Sequence, residues 1–228
     1  GLQVVVASLV CIFLCVRTEE FDKVDVLVCI ETLCPDSKKY IITELDPTYI
    51  ALRDIIELTF VPYGNAVINE EEHTVECQHY EEECSANSYE QCVIYYYPEP
   101  EQYLPFATCL AAVSNEDLVT GDEQIFEDCA VQSSLDWPLI RDCHDDEELS
   151  WDLQVDAASK TPGYHTYIPW TEVNGEVINW FDGEELGRAI CNAYEGYYSK
   201  CYCSESDLGS NIGCSQKKGE ERAYTEVQ

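Results

Sequence analysis

The sequence predicts an α/β fold, and three segments carry that prediction. A Val-rich run at 23–30 precedes a segment with helical apolar spacing, and a second apolar run at 56–62 follows it. This order of strand, helix and strand is the building unit of α/β sheets. Further along, Asn174-Gly175 stands between two alternating runs, which is the strongest short-range pattern for a β-hairpin. We therefore expect one α/β domain over about residues 23–200.

The first helix is predicted to begin at Pro35, where the missing N–H of proline has no helical partner to lose. Apolar residues then recur at helical spacing as far as Ile56. Asp46-Pro47 interrupts the pattern, because a proline inside a helix removes one hydrogen bond and clashes with the preceding turn. We expect a kink at this point or two shorter helices.

Residues from about 70 to 160 differ in character, because acidic clusters and cysteines are frequent and the apolar periodicity is weak. We expect a mostly helical insertion that is held together by disulfide bonds. Strand patterns resume at 164–173 and 176–180, and the run 183–194 predicts a helix packed on the sheet. Residues 201–228 are expected to form a loosely ordered, cysteine-containing tail.

The charge of the chain excludes several classes of partner. With 45 acidic and 12 basic residues, the formal net charge is −33. Binding to nucleic acid depends on cationic side chains, and a chain this acidic is also repelled by anionic membrane surfaces. We therefore expect no nucleic-acid partner, and no membrane partner for the mature form. Apolar residues make up 46% of the chain, with 16 Tyr, 4 Trp and 6 Phe, which predicts a folded core rather than an acidic disordered chain.

The 14 cysteines indicate an oxidising compartment, because cytosolic proteins rarely hold so many thiols. The apolar run 2–16 is shorter than the roughly 20 residues of a membrane span but fits a secretory signal. We expect residues 1–18 to be a signal peptide that is truncated at its start. A buried N-terminal strand is the alternative. The predicted location is outside the cell or the endosomal or lysosomal lumen, and without an N-glycosylation sequon plain secretion is as compatible as lysosomal sorting.

Cys34 is the candidate catalytic residue, because it lies where the first predicted strand meets the first helix. Backbone N–H groups at a helix N-terminus favour the reactive thiolate. Thioredoxin-like folds place the pattern C-x-x-C at this junction, and the second thiol releases the mixed disulfide that the first one forms. Here the fourth position is Ser37, which is predicted to donate a hydrogen bond to the sulfur but cannot replace that thiol. A structural disulfide at Cys34 is the alternative.

Pro169 is the second candidate catalytic position. It precedes the predicted hairpin, where a cis peptide bond after Ile168 is expected. In thioredoxin-like folds such a loop faces the catalytic cysteine and offers backbone groups to an extended substrate. The residues predicted to contact substrate around these two positions are Pro35, Asp36, Ile168 and Trp170.

The run from Cys77 to Cys92 resembles the signature of the gamma-interferon-inducible lysosomal thiol reductase (GILT) family, C-Q-H-G-x-x-E-C-x-x-N-x-x-x-x-C. The only fixed position that differs is the signature's Gly, which is Tyr80 here. Segments 33–36, 61–66, 168–170 and 173–176 also resemble the family, in the same order. The matching signature residues are Cys77, Gln78, His79, Glu83, Cys84, Asn87 and Cys92.

This resemblance implies a thioredoxin-like fold with a helical insertion, entry into the secretory and endolysosomal route, and reduction of protein disulfides at acid pH. The family's pair of active-site cysteines falls on Cys34 and position 37, so Ser37 predicts impaired dithiol turnover. An intramolecular thiol has a very high effective concentration, and without it the enzyme would depend on free cysteine or glutathione, with no other cofactor. Cys29 is expected to be too buried to substitute. A catalytically inactive, secreted binding protein is the second hypothesis.

A metal site is the alternative interpretation of the signature cysteines. Four potential ligands are present, namely Cys77, His79, Cys84 and Cys92. Their spacing lacks the paired C-x-x-C units of structural zinc sites, so we expect disulfides and no metal. The pairing stays open at this point, although Cys201 is expected to reach a partner such as Cys191 or Cys214.

Overall fold

The structure is a computed structural model that describes residues 21–201, so the predicted leader and nearly all of the predicted tail lie outside the described residues. Within this range the strands are β1 (Val24–Ile30), β2 (Ile56–Pro62), β3 (Val67–Asn69), β4 (Thr74–Glu76), β5 (Trp170–Val173) and β6 (Glu176–Val177). A four-stranded sheet has the order β2-β1-β5-β6, and β3 pairs with β4 separately.

Strand β1 lies in the interior of the main sheet. It runs parallel to β2, with Val24 opposite Ile56, and antiparallel to β5, with Cys29 opposite Trp170. The side chains of Val24, Val28 and Cys29 are buried. A strand covered on both faces needs a nearly continuous apolar run, so the Val-rich segment is confirmed as a buried strand.

The connection between β1 and β2 is helical. It consists of α1 (Pro35–Tyr40), a π-helical segment (Ile41–Leu45) and α2 (Asp46–Leu52), followed by a short 3-10 turn. Pro47 lies in the first turn of α2. The predicted interruption is therefore confirmed, and it takes the form of a widened π turn that keeps the chain helical.

The insertion is mostly helical, as predicted. Its helices are α3 (Tyr80–Tyr96), α4 (Pro100–Ala112), α5 (Asn115–Leu118), α6 (Glu123–Gln132), α7 (Trp137–Asp145) and α8 (Glu147–Lys160). The β3–β4 hairpin that precedes them was not predicted. Its strands have three residues each and are largely exposed, so the sequence there lacks the apolar alternation of a half-buried strand.

Four disulfides within the described part of the chain confirm the interpretation of most cysteines as structural staples. They are Cys77–Cys84, Cys92–Cys143, Cys109–Cys129 and Cys191–Cys201. The first three lie within the insertion, and the last one ties the segment after the final helix back to that helix. Among the described cysteines, Cys29 and Cys34 are free.

The end of the domain contains the predicted hairpin, but its strands are shorter than expected. Residues before Trp170 form a loop and β6 ends at Val177, because a 3-10 turn follows at Trp180–Asp182. Asn174 and Gly175 both have positive φ values, 49° and 79°, as a tight hairpin turn requires. The last helix is α9 (Leu186–Ala193). None of the helices in residues 21–201 is long and apolar enough to cross a bilayer.

Candidate active site

Cys34 caps the N-terminus of α1, directly after β1. Its carbonyl accepts a hydrogen bond from the Lys38 N–H at 3.0 Å, which is the first bond of the helix. The sulfur is 4.0 Å from the backbone oxygen of Ile168. The side chain is 9% exposed and shares a small apolar cluster with Val61, Ile168 and others. A free thiol thus lies at the surface of this cluster, facing the loop before β5.

The loop opposite Cys34 ends with a cis peptide bond between Ile168 and Pro169. Trp170, which we predicted to contact substrate, lies inside the fold with 5% of its surface exposed. Its ring nitrogen donates a hydrogen bond to Glu172 at 2.8 Å. Tyr167 packs against the same cluster as Cys34 and is only partly buried. The backbone of Ile168, rather than the Trp170 ring, therefore faces the thiol.

The three residues that follow Cys34 differ in their exposure. Pro35 and Asp36 are exposed at the rim of the site, where a bound protein can reach them. Ser37 is fully buried, and its Oγ accepts a hydrogen bond from the backbone N–H of Glu31 at 3.3 Å. The predicted bond from Ser37 to the Cys34 sulfur is not among the hydrogen bonds of the described residues. Because Ser37 Oγ is the acceptor in this bond, the hydroxyl proton stays available for another acceptor.

Cys29, the other free cysteine among the described residues, is too deeply buried to react with a substrate disulfide. It lies in β1 with no exposed surface, and burial raises the pKa of its thiol to about 12, against a smaller lowering by a hydrogen bond with Thr161. A thiol in this state is not a nucleophile near neutral pH. Its position agrees with the prediction that it does not replace the missing second thiol.

Asn65, in the family-like run 61–66, links the Cys34 loop to the signature residue Gln78. Asn65 donates two hydrogen bonds to one carboxylate oxygen of Glu31, both at 2.8 Å, and a third to Gln78 at 2.6 Å. Gly64 has a positive φ of 60°, and a Cβ on it would lie 2.2 Å from the Glu31 side chain. Only glycine therefore lets the chain pass this close to Glu31.

Glu31, His79 and Glu83 form what we call the carboxylate cluster. The ring Nδ1 of His79 is 2.6 Å from Glu83 and 3.5 Å from Glu31, and both carboxylates are buried. Burial raises the pKa of the Glu31 carboxyl, the Asn65 N–H opposes that shift, and the nearby Glu83 adds to it. These three side chains could hold a metal ion, since their ligand atoms lie within 4.8 Å of one another. Hydrogen bonds from His79 and Asn65 already engage both carboxylates.

A second buried group, which we call the Thr32 triad, consists of Thr32, Asn87 and Glu90. Asn87 Oδ1 accepts from the Thr32 backbone N–H at 3.0 Å and lies 2.7 Å from the Thr32 hydroxyl. The same hydroxyl is 2.5 Å from Glu90 Oε2. Helix α3 therefore holds the segment two residues before Cys34 through both backbone and side chain.

A third attachment comes from α5. The Asn115 amide donates to the Leu33 carbonyl at 2.7 Å, and Lys38 Nζ donates to Asn115 Oδ1 at 2.7 Å and to the carbonyl of Val113. The insertion thus binds the backbone of Leu33, the residue immediately before Cys34. Sequence reasoning missed these contacts, and also Glu31, Asn65 and Glu90. The one available indication was the family-like run 61–66, which contains Gly64 and Asn65.

Residues 25–133 match the family model described as gamma interferon inducible lysosomal thiol reductase. The chain is 32% identical over 172 residues to a gamma-interferon-responsive lysosomal thiol protein of Arabidopsis thaliana, a match that covers 73% of this chain and 69% of that relative. It is 28% identical over 194 residues to the gamma-interferon-inducible lysosomal thiol reductase of Mus musculus, covering 82% and 72%. The corresponding protein of Carassius auratus is 28% identical over 175 residues, covering 73% and 66%.

Solved structures show the fold. DsbA from Chlamydia trachomatis superposes with a TM-score of 0.52 at 13% identity, over 69% of this chain and 80% of that one. MdbA, a thiol-disulfide oxidoreductase from Actinomyces oris, gives 0.52 at 12% identity, over 77% and 82%. The predicted thioredoxin-like sheet with a disulfide-stapled helical insertion is confirmed by this likeness and by the four disulfides.

Proposed function

This chain belongs to the gamma interferon inducible lysosomal thiol reductase family, and on that premise we propose that it reduces protein disulfides through the single thiol of Cys34. One observation carries the proposal: a free cysteine caps α1 and lies 4.0 Å from the Ile168 carbonyl of the cis-proline loop. The family and the fold support thiol–disulfide oxidoreductase chemistry in general. The proposed location is the secretory or endolysosomal lumen, as the names of the relatives suggest.

The reaction begins when the Cys34 thiolate attacks one sulfur of a substrate disulfide. A bond forms between the two sulfurs, the substrate S–S bond breaks, and the other substrate sulfur leaves as a thiolate. Position 37 has no thiol, so a thiolate of free cysteine or glutathione attacks the mixed disulfide and releases Cys34. The substrate sulfur is then linked to the small thiol, and a second small thiol completes the reduction as an oxidised small disulfide forms. The two electrons therefore come from two external thiols.

The neighbouring residues have supporting roles in this proposal. The backbone at Ile168 and Pro169 aligns the extended substrate chain, and Pro35 and Asp36 contact it from the exposed rim. Ser37 turns its hydroxyl proton to the Cys34 sulfur once the thiolate forms. The proton turns about the Cβ–Oγ bond, so the oxygen keeps its hydrogen bond from the Glu31 N–H.

Replacing Cys34 and Ser37 separately tests the mechanism. Cys34→Ala should abolish reduction of a disulfide-containing protein by added cysteine, measured at pH 5 and pH 7. Ser37→Cys should raise turnover at least tenfold when the external thiol is limiting, because the second thiol becomes intramolecular. Ser37→Ala is the matched control, which removes the hydroxyl without adding a thiol and should give no gain. Equal rates for Cys34→Ala and the wild-type protein would refute the proposal.

A binding protein without catalysis is the second candidate, and the absence of a thiol at position 37 favours it. The state of Cys34 distinguishes the two. Under the enzyme proposal Cys34 reacts with iodoacetamide faster than Cys29 by a factor of at least 100, since Cys29 has no exposed surface and burial raises the pKa of its thiol to about 12. Slow alkylation of Cys34 together with no gain from Ser37→Cys would favour the binding protein.

A further inference from the structure

The Thr32 triad contains one proton fewer than its geometry needs if Glu90 is ionised. The Thr32 hydroxyl has a single proton, yet its oxygen lies 2.7 Å from Asn87 Oδ1 and 2.5 Å from Glu90 Oε2. Both of those atoms are acceptors when Glu90 is a carboxylate. Asn87 cannot be turned to offer its amide nitrogen, because its Oδ1 also accepts from the Thr32 backbone N–H at 3.0 Å.

One arrangement satisfies all three contacts. If Glu90 is a carboxylic acid, its O–H donates to the Thr32 hydroxyl oxygen, and the Thr32 proton is then free to donate to Asn87 Oδ1. The chain of donors runs in one direction, from Glu90 through Thr32 to Asn87. The short 2.5 Å separation is within the range of such O–H···O bonds.

The surroundings of Glu90 also favour the neutral acid. The residue is 2% exposed, and its Oε1 has no hydrogen-bond partner among the described residues. Of the charged groups on the elements around α3, the Lys38 ammonium on α1 acts on this carboxyl. It makes no ion pair with Glu90 and donates instead to Asn115 and Val113. Burial raises the pKa of Glu90 to about 7, with Thr32 and Lys38 opposing the shift.

We propose that Glu90 is a positioning residue for Cys34, and that it orders the loop 31–34 only while it is a neutral carboxylic acid. The inference rests on the proposed function of Cys34 as the nucleophile. The Thr32 backbone and hydroxyl are the points at which α3 grips this loop, two residues before the thiol. Loss of the Glu90 proton forces the Thr32 hydroxyl to donate to the carboxylate, and its bond to Asn87 is then lost. The loop 31–34 becomes less ordered, and the Cys34 sulfur is no longer held next to the Ile168 carbonyl.

Glu90→Gln separates this role from a merely structural one, because the Gln amide donates to Thr32 at every pH. The measurement is the second-order rate constant for Cys34 with oxidised glutathione between pH 5 and pH 9. The result is expressed as the ratio of the variant's rate constant to that of the wild type, so that the ionisation of Cys34, which both proteins share, cancels. We expect a ratio near 1 at pH 5 that rises at least fivefold by pH 8.5. Glu81→Gln, an exposed change in the same helix, is the matched control and should give a flat ratio.

Infrared spectroscopy tests the proton directly and without any activity. The wild-type protein should show the C=O band of a buried carboxylic acid at pH 5.5. A component of this band should decline as the pH rises through neutrality, and that component should be missing in Glu90→Gln, which keeps the other buried carboxyl groups. A ratio that stays flat with pH, or a wild-type spectrum without this component, would overturn the inference. If Cys34 is unreactive in every variant while the component is present, the proposed function fails but the protonated Glu90 stands.

Discussion

Gln78, His79 and Asn87 belong to the signature run, and their side chains reach the segments that follow β1 and β2. Gln78 binds Asn65, His79 binds the carboxylate cluster, and Asn87 binds the Thr32 backbone. Among the described residues, none of these side chains forms a hydrogen bond with the Cys34 sulfur. At the scale of single residues, the signature therefore supports the geometry of the reactive loop rather than supplying a reacting group.

Tyr80, the one departure from the signature, shows why a glycine fits that position. Its φ is 72°, in the left-handed region where a side chain costs about 1 kcal/mol. We expect Tyr80→Gly to raise the free energy of unfolding by about 0.5–1 kcal/mol, measured by urea denaturation. The side chain is largely exposed, so little packing is lost. Tyr95→Gly, an exposed change inside the same helix, should instead lower stability by about 1 kcal/mol. Destabilisation by both changes would contradict this account.

At the scale of elements, α3 joins the insertion to the sheet. Asn87 and Glu90 in the middle of this helix bind the Cys34 loop, and the Cys92–Cys143 disulfide fixes the helix to α7. Gln91 adds a further link, because its amide donates to the Pro62 carbonyl at the end of β2 at 2.7 Å. The insertion thus stabilises the conformation of the reactive loop.

The disulfides of the insertion differ in the length of chain that they close. Cys92–Cys143 spans 51 residues and Cys109–Cys129 spans 20. Loop-closure entropy predicts that replacing the first pair by Ala lowers the free energy of unfolding by about 4 kcal/mol, and the second by about 3 kcal/mol. Chemical denaturation of the two double variants provides the measurement. A larger loss for the shorter loop would show that native packing, rather than the unfolded chain, determines the difference.

At the scale of the whole molecule, the many carboxyl groups determine how the stability of the fold depends on pH. Within residues 21–201, burial raises the pKa of four carboxyl groups, those of Glu31, Glu44, Asp46 and Glu90. A carboxyl with a raised pKa binds its proton more tightly in the folded state, so its contribution to stability is complete below its ordinary pKa and is lost as the pH rises through the raised value. Protonation also reduces the repulsion that follows from a net charge of −33.

We therefore expect the protein to be more stable at pH 5 than at pH 7.5. Glu90 alone, with a pKa that moves from 4.5 to about 7, contributes about 2 kcal/mol over this interval. Urea denaturation at the two pH values measures the difference in the free energy of unfolding. In Glu90→Gln that difference should shrink by the same amount, whereas Glu81→Gln should keep it. A clearly lower thermal midpoint at pH 5 would argue against a role in an acid compartment.

The sequence by itself determined the order of the main strands and of the first and last helices, the position of Cys34, the interruption at Pro47 and the hairpin at Asn174-Gly175. Each of these depends on local chemistry, namely apolar periodicity, the missing N–H of proline and the turn preference of Asn-Gly. Likewise, the cysteine count predicted disulfides but not their pairing, because pairing depends on which helices pack together.

Only the tertiary structure decided what surrounds the thiol. Glu31, Asn65, Glu90 and Asn115 are far apart in the chain or carry no local pattern. They come together at the end of β1 because β2 pairs with β1 and because α3 and α5 bind the segment that follows β1. The burial of Trp170 was decided in the same way, by the pairing of β5 with β1. Local sequence fixes which residue can react, whereas long-range packing fixes the hydrogen bonds and the burial that hold it in place.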